Sequence, residues 1–256
     1  MKKNQLTASS KQPEAVSHKP VIIMRKDLAT QYNTKLSEKS ILEKLKFLIK
    51  NHPGKVIFTT SFSYEDQVIT DIIFKNNLDI KVITLDTGRL FPETYKVYRS
   101  TVEKYGKQIQ AYFPPTEEVE KLVTNKGPFS FYESIENRKE CCHIRKVIPL
   151  RRALSGNEIW ITGIRAAQSE NRNGMREFEW DAGNQIIKYN PLMEWPLEQT
   201  IDYVKENHIP YNILHDKGFV SIGCQPCTRA IQPGEDIRAG RWWWEQSSGK
   251  ECGMHL

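Results

Sequence analysis

Hydrophobic residues recur along the chain at strand-like and helix-like spacings in turn, which predicts strands that alternate with helices. The predicted strands cover residues 55–60, 80–85, 108–112, 158–163 and 185–188. The predicted helices cover residues 36–49, 65–75, 92–105, 117–124, 145–154 and 196–207. This alternation predicts an α/β fold in which a mostly parallel sheet is flanked by helices. An irregular C-terminal segment rich in Gly, Pro, Trp and Arg is expected to follow.

Three polar loops follow predicted strands, at residues 61–65, 86–89 and 163–172. Ligands of parallel sheets bind beyond the carboxyl ends of the strands, so these loops are the expected binding site. Ser61 and Ser63 offer hydroxyls at a helix N-terminus, which suits an anion, but Ser63 with Asp66 also fits an ordinary capping box. Arg165 and Arg172 in the third loop match phosphate or sulfate oxygens. Neither a P-loop nor a dinucleotide-binding fingerprint is present.

The chain length of 256 residues fits one α/β domain. We predict a disordered basic tail at 1–20, a single domain at 21–245, and a mobile C-terminal tail at 246–256. Residues 1–26 carry six Lys and Arg against one Glu, so +5 of the net charge of +6 lies there. This distribution argues against a nucleic-acid partner. No apolar run has the length of a membrane span, and no signal-peptide core follows the first residues, so a cytoplasmic protein is expected.

Four of the five cysteines form two tight pairs, Cys141-Cys142 and Cys224-x-x-Cys227. Paired thiols are typical ligands of iron–sulfur clusters or zinc. Adjacent cysteines can converge on one centre only at a helix start or a kinked backbone. A cluster of several iron atoms accommodates that arrangement better than a single tetrahedral ion.

The fifth cysteine, Cys252, lies four residues from the end of the chain. A thiol on a mobile tail suits a nucleophile that serves two partners in turn, and Lys250 and His255 nearby favour its thiolate form. The other interpretation is an incidental surface thiol. The spacing alone leaves both open.

An ordered series of motifs resembles the sulfonucleotide reductases, and within them the assimilatory adenylyl-sulfate reductases that carry a [4Fe–4S] cluster. The motifs are SFSYEDQ at 61–67, LDTG at 85–88, CCHIRK at 141–146, GIR at 163–165, IPYN at 209–212, LHDKG at 214–218, IGCQPCT at 222–228, GED at 234–236, RAGRWWW at 238–244 and ECGMH at 251–255. The resemblance covers about residues 40–256. It implies an adenine-nucleotide α-hydrolase-like fold, which is a Rossmann-like parallel sheet.

The resemblance also implies a role for individual residues. The four paired cysteines, Cys141, Cys142, Cys224 and Cys227, would ligate the cluster. The anion-binding positions would be Lys146, Arg165, Arg172, Arg238 and Arg241. The nucleotide-binding loops would contain Ser61, Ser63, Asp86, Thr87, Gly88 and Gly163. Cys252 would be the nucleophile, with His255 beside it.

The implied reaction has two steps. Cys252 attacks the sulfur of adenosine 5′-phosphosulfate, which releases AMP and leaves an S-sulfocysteine. Thioredoxin or a glutaredoxin-like dithiol protein then attacks Cys252 and releases sulfite. AMP is a stable leaving group, so the main task of the site is to screen the negative charge that repels an incoming thiolate. We expect the cluster to have a structural or electrostatic role near Lys146.

One departure from the family pattern is Ala166-Ala167, where a charged or polar residue is usual; this questions any substrate contact from those two positions. Three alternatives remain. The substrate is the 3′-phosphorylated nucleotide (PAPS) or both nucleotides, the chain is a zinc-stabilised binding module without chemistry, or it is a relative of the adenylating ATP pyrophosphatases, whose pyrophosphate loop is missing here. A homo-oligomer is compatible with the sequence.

Overall fold

The structure is a computed structural model that describes residues 19–166 and 174–245, with side chains described from Arg25 onward. Three predicted site residues, Arg172, Cys252 and His255, lie outside these ranges, as do Ala167 and nearly all of both predicted tails. Within the described ranges, no helix is long and apolar enough to cross a membrane.

A six-stranded sheet forms the centre of the molecule, in the order β3-β2-β1-β4-β6-β5. The strands are β1 (Val56–Thr60), β2 (Lys81–Leu85), β3 (Gln110–Tyr112), β4 (Ile159–Ile161), β5 (Phe178–Asp181) and β6 (Ile186–Tyr189). All neighbouring strands run parallel except β5, which pairs antiparallel with β6. The mostly parallel sheet predicted from the alternating periods is therefore confirmed.

Eight α-helices are described around the sheet, and most of them begin or end within a few residues of their predicted bounds. They are α1 (Lys19–Lys35), α2 (Ile41–Asn51), α3 (Tyr64–Lys75), α4 (Pro92–Tyr105), α5 (Thr116–Lys126), α6 (Ile135–Cys142), α7 (Ile148–Leu154) and α8 (Leu197–Glu206). Local chemistry sets several of these ends. Ser40 and Glu43 form a capping box that begins α2, and Gly106, at φ +60°, ends α4 in the left-handed conformation.

The two faces of the sheet have separate hydrophobic cores. Val56 and Phe58 of β1 pack into the larger core with α2, α3 and α8, whereas Ile57 between them packs with Trp160 and the α7 residue Leu150 on the opposite face. Successive side chains of a strand point to opposite faces, so a strand covered on both sides is apolar throughout. This explains the continuous apolar run that predicted β1.

Three elements were not predicted from the sequence: α6, α1 and β5. Of these, α1 and β5 pack against each other, and Ala29, Tyr32 and Leu36 are buried in the larger core beside Phe178 of β5. The Asn33 side chain accepts from Phe178 N at 2.9 Å and donates to Phe178 O at 2.8 Å. An amide side chain thus pairs with the backbone of one residue, Phe178, on the edge strand of the sheet.

The last described segment is irregular, as predicted, and it lies against the carboxyl edge of the sheet. Its short 3₁₀ turn at Gln225–Cys227 is fixed by a hydrogen bond from Gln225 N to Arg89 O at 2.8 Å. Trp242 N donates to Cys227 O at 3.2 Å. These bonds bring the C-terminal arginines to the loops that follow β1, β2 and β4.

Candidate active site

A cavity of about 260 Å³ lies at the carboxyl ends of the parallel strands. The loop after β1, the loop after β4, residues 220–224 and residues 237–242 contribute to its wall. Of the site residues predicted from the sequence, it brings together Ser61, Ser63, Thr87, Lys146, Gly163, Arg165, Arg238 and Arg241. Asp86 and Gly88 do not line it.

The loop after β1 is held in shape by Asp66. Ser61 donates to Asp66 Oδ2 twice, from its backbone N at 2.5 Å and from its Oγ at 2.6 Å. Ser63 caps α3 by accepting from Asp66 N at 3.4 Å. The capping serine is therefore confirmed, but the Asp66 carboxylate bonds to Ser61 instead of closing a capping box. Burial raises the pKa of Asp66 to about 6, against the opposing effect of the Ser61 hydrogen bonds.

The loop after β4 approaches the first loop so closely that only glycine fits at position 163. A Cβ on Gly163 would lie 2.1 Å from Asp66 Oδ1. Two residues on, the Arg165 guanidinium donates to Glu65 Oε1 at 2.7 Å, and both side chains are buried. Glu65 thus balances part of the positive charge that Arg165 was predicted to offer to a ligand.

The loop after β2 contributes Thr87 to the wall of the large cavity and also contacts one of the cysteines. Asp86 accepts from Gly88 N at 2.8 Å and from the Tyr95 hydroxyl at 3.0 Å, which closes the turn. Thr87 Oγ1 lies 3.2 Å from Cys224 Sγ. This predicted nucleotide loop is therefore also a support for one of the paired thiols.

Three further cations line the large cavity, Lys146, Arg238 and Arg241. Arg241 is buried, its guanidinium stacks on Trp242 at 4.8 Å, and its Nε has no hydrogen-bond partner among the described residues. A Cβ on Gly223 would lie 2.4 Å from Arg241 Nη2, so the glycine leaves room for the guanidinium. Together with Arg165, part of whose charge Glu65 balances, these three residues give the cavity the positive character expected of an anion site.

All four paired cysteines are buried and line a second, smaller cavity. Cys141 and Cys142 end α6, and the chain continues directly into a π-helical turn at His143–Val147. Single π turns are rare and occur frequently at functional sites. The kinked backbone expected for two adjacent cysteines is thus a π turn at the end of a helix.

The surroundings of the thiols fit a group with negative charge. Arg89, Arg138, Arg145 and Lys146 line the same cavity. The buried Nε of Arg145 has no partner within the described part of the chain. Burial raises the pKa of Cys141 and raises that of Cys227 to about 12, so a metal would have to displace their protons.

Four buried thiols around one cavity are the donor set that iron–sulfur clusters and zinc both take. In the described ranges no group of three or more His, Cys, Asp or Glu side chains is placed to hold one metal ion. Iron with sulfide is expected of a reductase, and zinc of a binding module.

The two cavities share part of their walls. Lys146 and Cys224 line both, and Trp242, which lines the large cavity, packs with the four cysteines. The π turn explains the position of Lys146, which follows Cys142 by four residues. A charge in the smaller cavity would therefore act directly on a cation of the larger one.

Two functional features were missed from the sequence. Asp66 supports the first loop through Ser61, although its position beside Ser63 suggested only a cap. His215 also lines the large cavity, where its ring stacks on Tyr64 at 4.3 Å and its Nδ1 lies 2.8 Å from Phe219 O. Burial lowers the pKa of His215, so the ring is neutral near pH 7.

Comparison with known proteins identifies the family to which this chain belongs. The family model described as the phosphoadenosine phosphosulfate reductase domain matches residues 55–230. The chain belongs to this family. The predicted resemblance to the sulfonucleotide reductases is therefore confirmed.

Individual relatives of the reductase agree with the family match. A protein of Agrobacterium fabrum named adenosine 5′-phosphosulfate reductase is 49% identical over 79% of this chain and 78% of its own. One of Rhizobium meliloti with the same name is 45% identical over 98% of this chain and 94% of its own. A crystal structure of phosphoadenylyl-sulfate reductase from Candida auris, in complex with phosphate, is 29% identical. It matches 86% of this chain and 100% of its own with a TM-score of 0.67.

Proposed function

We propose that this reductase converts adenosine 5′-phosphosulfate to sulfite and AMP, as a step of sulfate assimilation and cysteine biosynthesis. The observation that carries the proposal is the shared wall of the two cavities, where Lys146 and Cys224 belong to both. A cationic cavity at the carboxyl edge of an α/β sheet suits a sulfonucleotide. The names of the relatives support the same substrate.

The nucleotide lies across the carboxyl ends of β1, β2 and β4. Ser61, Ser63, Thr87 and Gly163 approach the nucleoside side, and Lys146, Arg165, Arg172, Arg238 and Arg241 approach the phosphate and sulfate. In the described part of the site, the tight packing of Gly163 on Asp66 keeps the first and third loops together. Asp86 and Gly88 contribute by shaping the turn that presents Thr87.

Catalysis begins at the Cys252 thiolate, whose Sγ forms a bond to the sulfate sulfur while the bond from that sulfur to the phosphate oxygen breaks. AMP leaves with the electron pair and needs no proton. Lys146, Arg238 and Arg241 screen the repulsion between two anions, which is the main barrier to this step. His255 stabilises the thiolate from within the same tail.

Sulfite is released in a second step that consumes two electrons. A thiolate of thioredoxin, or of a glutaredoxin-like protein, attacks Cys252 Sγ, and sulfite leaves with the electron pair of the broken S–S bond. The second thiol of the reductant resolves the mixed disulfide and restores Cys252. Thiol exchange of this kind is rapid when the attacking group is a thiolate.

Cys141, Cys142, Cys224 and Cys227 hold a [4Fe–4S] cluster in this proposal. Bound there, it supplies a fixed charged body beside Lys146, with a structural or electrostatic effect on the substrate site. All four ligands come from the protein, which leaves no open coordination position. The cationic side chains around the thiols, together with the orphaned Arg145 Nε, support an anionic group at this place.

The protein is proposed to act in the cytoplasm, since four buried thiols without disulfide partners suit a reducing compartment. No nucleic acid or membrane takes part. The 21–245 stretch is proposed as one domain that carries both cavities.

The test is an anaerobic assay of AMP and sulfite with thioredoxin, run on adenosine 5′-phosphosulfate and on its 3′-phosphorylated form in parallel. Both products are expected from the first nucleotide, with Cys252→Ser abolishing them and Ser248→Ala serving as the matched tail control. Turnover of the 3′-phosphorylated form at an equal rate would replace the proposal with a dual-specificity reductase. Absence of turnover with either nucleotide in iron-loaded protein would contradict the proposed reductase activity.

A further inference from the structure

A contiguous group of four aromatic rings, three exposed and one partly buried, lies beside the cysteine cavity. We define the aromatic patch as Phe129, Tyr132, Trp243 and Trp244. Tyr132 lies 6.3 Å from Phe129 and 4.4 Å from Trp244, and Trp244 lies 5.7 Å from Trp243, measured between ring centroids. Phe129 is 61% exposed and Trp243 48% exposed. Large exposed rings in contact with one another mark interaction surfaces.

Contacts with both cysteine-bearing segments hold the aromatic patch in place. The Tyr132 hydroxyl donates to Pro226 O at 2.7 Å, between the two cysteines of the second pair. Phe131, which is buried, fills the space beneath and lines the cysteine cavity. A surface held by both cysteine-bearing segments presents its rings in one geometry, which lowers the entropy cost of binding a partner.

The position of the patch in the chain limits what can bind there. Glu245 follows Trp244 directly, and it is fixed by a buried pair of hydrogen bonds from Arg138 at 2.8 and 2.9 Å. Cys252 lies seven residues after Glu245. An extended chain spans at most about 3.6 Å per residue, so Cys252 lies within about 25 Å of Glu245.

We propose that the aromatic patch is the docking surface of the dithiol protein that reduces the enzyme; this rests on the proposed function, in which such a protein must reach Cys252. A standard interface covers about 800 Å² per partner, a surface roughly 30 Å across, so the chain that links Glu245 to Cys252 is long enough for Cys252 to reach a protein seated on the patch. Its thiolate attacks Cys252 Sγ, the S–S bond to the sulfonate breaks, and sulfite leaves with the electron pair. Its second thiol then releases Cys252 and closes its own disulfide.

The experiment separates the two half-reactions on the full, iron-loaded chain. S-Sulfonated enzyme is prepared anaerobically with adenosine 5′-phosphosulfate, and sulfite release is then followed with thioredoxin or with dithiothreitol. Phe129→Ser and Trp243→Ser are the test variants. Phe113→Ser is the matched control, since Phe113 is 55% exposed and lies outside the patch.

Each test variant is expected to raise the thioredoxin concentration needed for half-maximal sulfite release about tenfold, because exposed aromatic residues are often binding hot spots. The rate of S-sulfonation, the rate with dithiothreitol, the iron content and the behaviour of Phe113→Ser are expected to match those of the unmodified enzyme. A small dithiol needs no docking surface, so this split is specific to a docking role.

Three results would overturn the proposal while leaving the proposed function intact: a response to thioredoxin within twofold of the unmodified enzyme, equal slowing with both reductants, or a dimer of the unmodified enzyme that dissociates in the variants. Equal slowing would assign the rings to the enzyme's own terminal segment. Dissociation would assign them to a second copy. Absence of S-sulfonation in the unmodified enzyme would overturn the proposed function and the docking surface with it.

Discussion

The buried ion pair between Arg138 and Glu245 offers a test of how the cysteine cavity is joined to the end of the described chain. Arg138 Nε and Nη2 donate to the two carboxylate oxygens of Glu245, and the side chains are 4% and 3% exposed. The Arg138 guanidinium also stacks on Trp242 at 4.7 Å. The pair therefore fixes the segment that carries the cavity arginines to the helix that carries Cys141 and Cys142.

Glu245→Ala would leave a buried guanidinium without its main counter-charge. Removing one partner of a buried ion pair costs about 3–5 kcal/mol. The lower end applies here, since Arg138 keeps its contact with Trp242, so we expect a loss of about 3 kcal/mol. For a chain of this size each kcal/mol lowers Tm by about 2–4 °C, which gives a fall of roughly 6–12 °C.

The assay is thermal unfolding followed by circular dichroism, with all proteins at equal iron content because ligand loss alone would lower Tm. Arg99→Ala is the control, since the side chains of the Arg99–Glu103 pair are 81% and 59% exposed and solvent screens their attraction, so its loss is expected to change Tm very little. A fall in Tm for Glu245→Ala no larger than that of the control would refute the reasoning.

Three further predictions concern the sites themselves. Gly163→Ala is expected to lower kcat/KM at least tenfold with little loss of fold, because its Cβ would collide with Asp66 Oδ1; near-normal kcat/KM in a steady-state assay would count against the loop packing. Burial raises the pKa of Asp66 to about 6, so the carboxyl of the folded protein binds a proton as the pH falls through that value. The stabilisation that results is fully present below the pKa of Asp66 in the unfolded chain, and it is lost as the pH rises through about 6. Relative to Asp66→Asn, the free energy of unfolding of the unmodified protein should rise by roughly 2 kcal/mol between about pH 7.5 and pH 4 in urea unfolding. Parallel pH profiles for the two proteins would contradict this. Cys227→Ser should lose most of its iron on purification, measured by metal analysis, and iron retained at the level of the unmodified protein would argue against that ligand.

The hydrophobic pattern predicted the parallel strands and α4 well, because strands covered on both faces and amphipathic helices leave direct signals in the sequence. It did not predict α1, where polar residues separate the buried Ala29 and Tyr32 from each other and from Leu36, which directly follows the helix. Their spacing of three and four residues was the available signal. β5 was missed because it pairs at the edge of the sheet, with one face covered chiefly by α1.

The motifs predicted which residues would line the large cavity, but they did not predict which of their side chains form ion pairs or hydrogen bonds with one another. Lys146, Arg238 and Arg241 line the cavity as expected. The pairing of Arg165 with Glu65 depends on the approach of two loops that are far apart in the chain. The pairing of Asp66 with Ser61 depends on the conformation of one short loop. Contacts between polar loop residues leave no periodic pattern in the sequence, so they could be identified only from the folded structure.

The central claim is that Cys252 takes the sulfonate from adenosine 5′-phosphosulfate beside the cation cluster. The most direct measurement is peptide mass spectrometry of the anaerobic, iron-loaded protein after incubation with this nucleotide and without a reductant. We predict one SO₃ group on the peptide that contains Cys252, with one equivalent of AMP released. An unmodified Cys252 in protein with intact iron, or the group on any other cysteine, would contradict the account.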